Sequence, residues 1–361
     1  MNQKKLTIIT VSLESGGLER IVSNIANIYV SKGWKVDVLT LLNPEGKVFV
    51  KLDNRVNHIF FKDIKTHPSS FQKLISVPKW IKFIRQHLQE TNPDCILAMT
   101  IKIGSMTILA NKNKSTRIVV REISDPKSKA RNQFMNLICF KICKKADGFI
   151  FQTEWEKSCF PKKIQQIGQV IANPVVLTTT ASINKRKTIV TMGRLNNFQK
   201  RHDVLIKAFS IFAKNHPDYT LEIYGDGPDF EKDQKLIDKL NISEHVFLRH
   251  ACSDVHEKIR DAECFILTSD YEGLSNALLE AYMMGIPCIT SDWPGASEVI
   301  TNNIDGLIVK RGDISGFAKA LSFIVENKET ANHFALNAQK NIHKYDAQYI
   351  FSQYENIIEG K

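Results

Sequence analysis

The chain has 361 residues, 43% hydrophobic and 24% charged, with a formal net charge of +11 at pH 7. That length predicts two domains, each able to bury its own core, and the composition is that of an ordinary soluble globular protein. No run of eighteen apolar residues could span a bilayer, and no amino-terminal stretch resembles a signal peptide. The 7 scattered cysteines lack framework spacing, so reduced thiols in a cytoplasmic protein are expected.

In chain order, Leu6-Thr7-Ile8-Ile9-Thr10-Val11 reads as a first strand. Ser15-Gly16-Gly17-Leu18-Glu19-Arg20 follows, then a helix to about Ser31 and a second strand over 36–42. Gly16 and Gly17, between strand and helix, let backbone approach a phosphate closely. They are no dinucleotide fingerprint, because the G-x-G-x-x-G spacing is absent. Over 71–89, Trp80, Ile81, Ile84 and Leu88 form one helical face, and Lys79, Lys82, Arg85 and Gln86 the other, with Phe83 among the basic residues. Two readings stand for it: an amphipathic helix packed on the first sheet, and an interfacial helix on an anionic membrane.

Strand 118–120 leads into Arg121-Glu122-Ile123-Ser124-Asp125-Pro126, and Lys127, Lys129, Arg131, Lys141, Lys144 and Lys145 form a second basic cluster. Cys139 and Cys143 lie one turn apart without a nearby His or second pair, which argues against zinc. Alternation continues to Phe149-Ile150-Phe151, so 1–172 reads as a doubly wound α/β domain. The Thr- and Lys-rich stretch 173–187 reads as a linker. Residues 1–180 hold 28 Lys plus Arg against 13 Asp plus Glu, a net of +15, and the remainder holds 21 against 25, a net of −4. A basic first domain fits an anionic acceptor, an anionic membrane surface, or both. Nucleic acid is the competing partner, but nothing resembles a recognised binding module.

The second domain, 188–345, opens with the strand Thr188-Ile189-Val190-Thr191-Met192 and Gly193-Arg194-Leu195. A polar loop brings Lys200, Arg201 and His202 to a helix over 203–216. Arg194 and Lys200 thus follow one strand and can both reach one anionic ligand. Leu221 to Tyr224 runs into the turn Gly225-Asp226-Gly227-Pro228, and 246–249 is the next strand, ending on Arg249. Cys264-Phe265-Ile266-Leu267-Thr268 is a buried strand, followed by Tyr271-Glu272-Gly273-Leu274-Ser275-Asn276 and a helix to about Met284, with Ser275 or Asn276 as its N-cap. Glu272 lies in the turn and Glu280 inside the helix. Two carboxylates flanking a cup of helix amides suit a sugar nucleotide, the cup taking the diphosphate and the carboxylates the hydroxyls. Residues 294–298 and 303–309 shape the fold, and a last helix covers about 347–358.

The phrase Glu272-Gly273 … Glu280 … Gly285-Ile286-Pro287 resembles the E-x(7)-E signature of glycosyltransferase family 4, retaining enzymes of the GT-B fold. Gly193-Arg194 with Lys200, Gly225-Asp226-Gly227-Pro228 and Gly16-Gly17-Leu18-Glu19-Arg20 resemble further motifs of that family. The resemblance implies two Rossmann-like domains facing each other across a cleft, the first taking the acceptor and the second the donor. The final helix, 346–361, would pack back on the first domain. It assigns catalysis to Glu272, Arg194 and Lys200, and the donor diphosphate to Gly16, Gly17, Arg194, Lys200 and the amides of Leu274, Ser275 and Asn276. Glu272 and Gly273 take the donor sugar, and Glu280, Arg249 and Gly225 the ribose and base. One more residue separates Arg194 from Lys200 than is usual, so Arg201 is the alternative to Lys200. Many relatives carry a His in the first domain where this chain has Arg121 and Glu122, the nearest groups for the acceptor side.

No D-x-D motif is present, so no metal or other cofactor is expected beyond the nucleotide-sugar donor, with UDP as the default nucleotide. The resemblance implies a peripheral enzyme at the inner face of a bacterial membrane, moving a sugar to a lipid-linked saccharide for O-antigen, capsule or lipopolysaccharide. The alternatives are a soluble acceptor, a nucleotide-sugar epimerase, and a noncatalytic nucleotide-sugar binder.

Overall fold

The computed structural model describes residues 3–361 apart from 15–16, 49–50, 66–67, 124–125, 128–132 and 178, and excludes the side chains of 17 and 70. Its internal contacts divide the chain into Met1–Asn173 with Ile350–Lys361, and Pro174–Tyr349.

The first unit runs β1 (Lys5–Thr10), α1 (Gly17–Ser31), β2 (Lys35–Thr40), β3 (Asn57–Phe60), α2 (Ser70–Thr91), β4 (Cys95–Ala98), α3 (Ile101–Ala110), β5 (Arg117–Arg121), α4 (Gln133–Cys143), β6 (Gly148–Phe151), α5 (Glu154–Ser158), α6 (Lys162–Gln166) and β7 (Gly168–Val170). Its strands form one parallel sheet in the order β3-β2-β1-β4-β5-β6-β7. Parallel neighbours need a crossover, and right-handed crossovers put α1 on one face and α2, α3 and α4 on the other. Both faces are therefore covered, and β1 and β4 read as nearly unbroken apolar runs because their side chains are enclosed. The strand order reverses between β1 and β4, a topological switch point.

The 71–89 helix packs on this sheet. Trp80, Ile84 and Leu88 enter the core with Ile101, Met106 and Cys139. Phe83 meets Phe61 edge-on at 5.4 Å, which explains an aromatic among cations. Lys79 pairs with Asp63 at 2.5 Å, and the Arg85 guanidinium donates to the Leu109 and Ala110 carbonyls at 3.2 and 3.4 Å. Of the face expected to lie on a membrane, Phe83 and Arg85 are thus engaged by the fold, while Lys79, Lys82 and Gln86 remain exposed.

The second unit runs β8 (Arg186–Met192), α7 (His202–Phe212), β9 (Thr220–Tyr224), α8 (Phe230–Lys239), β10 (Val246–Arg249), α9 (Val255–Ile259), β11 (Ala262–Leu267), α10 (Asn276–Met284), β12 (Cys288–Ser291), α11 (Ala296–Val299), β13 (Leu307–Val309), α12 (Ile314–Glu326) and α13 (Lys328–Lys340). A 3-10 turn Ile342–Tyr345 precedes α14 (Ala347–Glu359). The parallel sheet order is β10-β9-β8-β11-β12-β13, so its switch point falls between β8 and β11. The stretch expected as a linker, 173–187, falls to this unit from Pro174 onward. Val175 bridges Asp346, the Ala181 and Ser182 amides donate to the Met284 and Arg260 carbonyls, and β8 already starts at Arg186. These anchors are backbone hydrogen bonds, which leave no apolar period in the sequence to read.

Candidate active site at the switch point of the second sheet

Lys200 stands on the β8–α7 loop and Glu272 on the β11–α10 loop, the two connections that leave the switch point in opposite directions. The Lys200 ammonium donates to Glu272 Oε1 at 2.6 Å, and both side chains are largely buried. The same oxygen accepts from Ser269 Oγ at 2.6 Å, and Oε2 accepts from Gln199 Nε2 at 3.4 Å. The supporting loops are tied across the strands. Asp270 N donates to the Gln199 carbonyl at 2.8 Å, Thr268 Oγ1 to the Lys200 carbonyl at 3.0 Å, and Ser291 Oγ to the Ser269 carbonyl at 2.5 Å. Three strand ends therefore hold one carboxylate in place, the rigid backing that a reactive site needs.

Arg201, the alternative cation, is turned away from Glu272. Its left-handed backbone, φ +55°, turns the guanidinium to Asp203 and Asp270, each at 3.0 Å. Lys200, carried one place further by the longer loop, is the residue that reaches Glu272. Arg194 is exposed and has no hydrogen bond or ion pair among the described residues, which leaves its fork open to an incoming anion. His202 is buried behind Lys200, and burial, with the Lys200 charge, pushes its imidazole down to about 4, so it is neutral.

Ser275 is the N-cap of α10, its Oγ accepting from Leu278 N at 3.4 Å. Leu274 is buried beneath it, and Asn276 begins the helix. First-turn amides have no carbonyl partner within their own helix, so this end is suited to an anion. Glu280 lies one turn further in and is buried. It is held by His256 of α9, whose Nε2 lies 3.0 Å from Glu280 Oε2. Gly225 serves close packing, since a Cβ there would stand 1.9 Å from the Gly193 carbonyl oxygen. Gly227 meets Leu195 O in the same way at 2.2 Å, so the Gly-Asp-Gly turn lies directly on the Gly193–Leu195 backbone.

Other expected residues lie elsewhere. Arg249 donates to Glu222 Oε1 at 3.4 Å and lies over its neighbour Phe247, within a network that includes Arg186 and Tyr224. Arg121 is fully enclosed in the first unit, its two terminal nitrogens on Tyr354 and Asn173. Glu122 is equally buried, with Oε1 accepting from Ile123 N at 2.8 Å. The two residues expected on the acceptor side are thus buried, Asn173 and Tyr354 closing over the end of β5. Gly17 begins α1, and Gly16 lies outside the described residues, as do Lys129 and Arg131.

Sequence alone does not single out Gln199, Ser269, Ser291 or His256. Each is a small or polar residue in a loop, at a strand end or in a short helix, where no periodicity marks it. A cavity of about 650 Å³ opens between α7 and α8, lined by Asn197, Arg201, Asp203, Asp229 and Asp233 among others, and it contains neither Lys200 nor Glu272.

Known proteins similar to this chain are glycosyl transferases. The family described as glycosyl transferases group 1 matches residues 179–341. A Campylobacter jejuni protein named as an α-1,4-N-acetyl-D-galactosaminyltransferase acting on a diNAcBac-PP-undecaprenol-linked saccharide is 23% identical, covering 98% of each chain. The lipopolysaccharide 1,6-galactosyltransferase of Salmonella typhimurium is 26% identical over 96% of each. Among solved structures, HepE of Anabaena in complex with UDP and glucose superposes with a TM-score of 0.81 at 17% identity, covering 99% of this chain and all of the other. Residues 179–341 thus resemble the group 1 glycosyl transferases, and the chain, with its two parallel-sheet domains, has the GT-B fold.

Proposed function

We propose that the chain is a retaining, metal-independent glycosyltransferase. It moves a hexose-type sugar from a UDP-sugar to a lipid-linked saccharide in the synthesis of a bacterial surface polysaccharide, as a peripheral protein at the cytoplasmic face of the membrane. The observation that carries the reading is the buried Lys200–Glu272 pair with the open Arg194 beside it. UDP is favoured by the nucleotide named with HepE, and the lipid-linked acceptor by the name of the Campylobacter relative.

In this reading the diphosphate settles on Arg194, Lys200 and the first turn of α10 through Leu274, Ser275 and Asn276. The Lys200 ammonium is then shared between phosphate and Glu272. Glu272 and the Gly273 backbone orient the sugar hydroxyls, and Glu280 accepts from the ribose. The bond from the anomeric carbon to the phosphate oxygen breaks as the acceptor oxygen bonds to the same face of that carbon. The acceptor's proton passes to the departing phosphate oxygen, so no protein base is required. The two cations stabilise charge that develops only as the bond breaks, which lowers the barrier and not merely the ground state.

The test joins ligand binding to product analysis. In thermal denaturation with a panel of nucleotides, a ligand at a hundred times its Kd adds about 2.7 kcal/mol of stability. UDP should be selected, and the matching UDP-sugar should then give a product of unchanged anomeric configuration, in EDTA as in buffer. Inverted configuration, loss of turnover in EDTA, or indifference to every nucleotide would each sink the corresponding part of the reading.

A further inference from the structure

The membrane contact implied by a lipid-linked acceptor needs a surface, and the packed face of α2 does not provide it. Two other ridges do. Phe71, Leu74 and Ile75, on the first two turns of α2, are 70%, 59% and 57% exposed. Phe134, Leu137 and Ile138, on the first two turns of α4, are 70%, 65% and 39% exposed. Each trio has the i, i+3, i+4 spacing of one helical ridge, and in each the hydrophobic side chains point into solvent, away from the core.

The topology brings the two together. Both helices follow a strand of the same parallel sheet, on the same face, with α3 between them. Each therefore begins at the carboxyl edge, and the ridges stand roughly 20 Å apart, two helix-packing distances. Exposed lysines surround them: Lys62 and Lys65 after β3, Lys73 on α2, Lys102 on α3, Lys127 before α4 and Lys141 on it. Among the described residues of these segments the acids are Asp63, bound to Lys79, Glu122, which is enclosed, and Glu90, near the opposite end of α2 from its ridge.

We infer that these two ridges form a membrane-docking surface for an anionic lipid bilayer, which sets the carboxyl edge of the first sheet against the headgroups. The inference rests on the membrane-bound acceptor proposed above. Two separated convex ridges suit a deformable sheet of lipid better than the single groove a protein partner would fill. A second copy of the chain would bring lysines against lysines. Phenylalanines at the tips enter the acyl boundary while the lysines stay at phosphate level.

Flotation of the full-length chain with vesicles tests it, comparing equimolar phosphatidylglycerol and phosphatidylcholine with phosphatidylcholine alone. The wild type should float with the anionic vesicles. Phe71→Ser with Leu74→Ser, and Phe134→Ser with Leu137→Ser, should each lower vesicle affinity at least tenfold, and all four together should abolish flotation. UDP should stabilise every variant as it does the wild type. Lys73→Glu with Lys102→Glu provides a second route to the same loss without touching an apolar residue. Unchanged flotation of these variants, or a wild type that floats on neither vesicle, overturns the inference. So does a concentration-dependent dimer that the serine substitutions dissociate. Flotation in a chain that UDP does not stabilise would sink the transferase reading and leave the docking surface standing, whereas turnover of a UDP-sugar without flotation would do the reverse.

Discussion

A lysine and a glutamate buried against each other at 2.6 Å hold two charges out of water, and either alone would be costly there. Lys200→Met should therefore destabilise the second unit by about 3 kcal/mol in urea melts. Adding Glu272→Gln should restore most of that loss, because the orphaned charge is gone. Turnover should fall at least a hundredfold in both variants, so stability and catalysis part company. Equal melts for the single and double variants would show that the pair is not coupled. Glu280 depends on a neighbour in a different way. His256→Ala should weaken UDP about tenfold while leaving 2′,3′-dideoxy-UDP unaffected, and Gln at that position should restore part of the difference. An unchanged ratio of the two ligands would leave His256 a packing residue. The glutamates are legible because their spacing is the signal. His256 and Ser269 are not, since each reaches the site from a segment with no pattern of its own.

Asp233 carries a pH dependence. Its side chain is buried with Oδ1 on Asn197 Nδ2 at 2.6 Å, and burial pushes its carboxyl up from 3.8 to about 6. The folded chain thus keeps a proton that the unfolded chain releases between those values. The associated stability is present below pH 3.8 and is lost as the pH rises through 6, amounting to roughly 2–3 kcal/mol by pH 7. Asp233→Asn should return that amount at pH 7.5 and nothing at pH 3.5, as read from urea midpoints. Equal effects at both pH values would remove the carboxyl as the cause.

At the scale of elements, turns explain more than helices do. The Gly-Asp-Gly turn after β9 has the composition of a ligand cradle, yet its glycines allow backbone to lie on backbone. Gly225→Ala drives a methyl group into the Gly193 carbonyl and should cost roughly 3 kcal/mol, seen as a fall in Tm, with Arg194 displaced and UDP binding weakened. A stable variant with normal UDP binding would show that the two loops can separate freely. Helix 71–89 is legible as an amphipathic element from its period. Which of its exposed residues lack a protein partner is not, because the answer depends on Asp63, Phe61 and the end of α3, all distant in sequence or on other elements. The expected linker fails for a related reason: Thr and Lys describe the side chains of 173–187, while its anchors are backbone amides.

At the scale of the molecule, the alternation of strands and helices makes both sheets legible, and the charge asymmetry marks the first domain as the basic one. The route of the last helix is implied only by family resemblance. In the structure its residues from Ile350 belong to the first unit, where Tyr354 meets Arg121 and the Ile357 carbonyl accepts from Arg117 Nε at 2.8 Å. Tyr354→Ala leaves a buried guanidinium short of a partner. It should lower the melting transition of the first unit by about 3 kcal/mol while sparing that of the second, as separated by calorimetry with and without UDP. Tyr354→Phe isolates the hydroxyl and should account for about half of the loss.

That discontinuity also orders events on the ribosome. The second unit is a single uninterrupted stretch, 174–349, and can close as soon as it has emerged. The first unit, although begun earlier, waits with the β5–β6 part of its sheet uncovered until Ile350–Lys361 has been translated, a delay of roughly 10–35 s at an elongation rate of about 5–20 residues per second. The domain synthesised second is thus the first that can finish folding, and the nascent basic domain is the one that a chaperone would find unfinished.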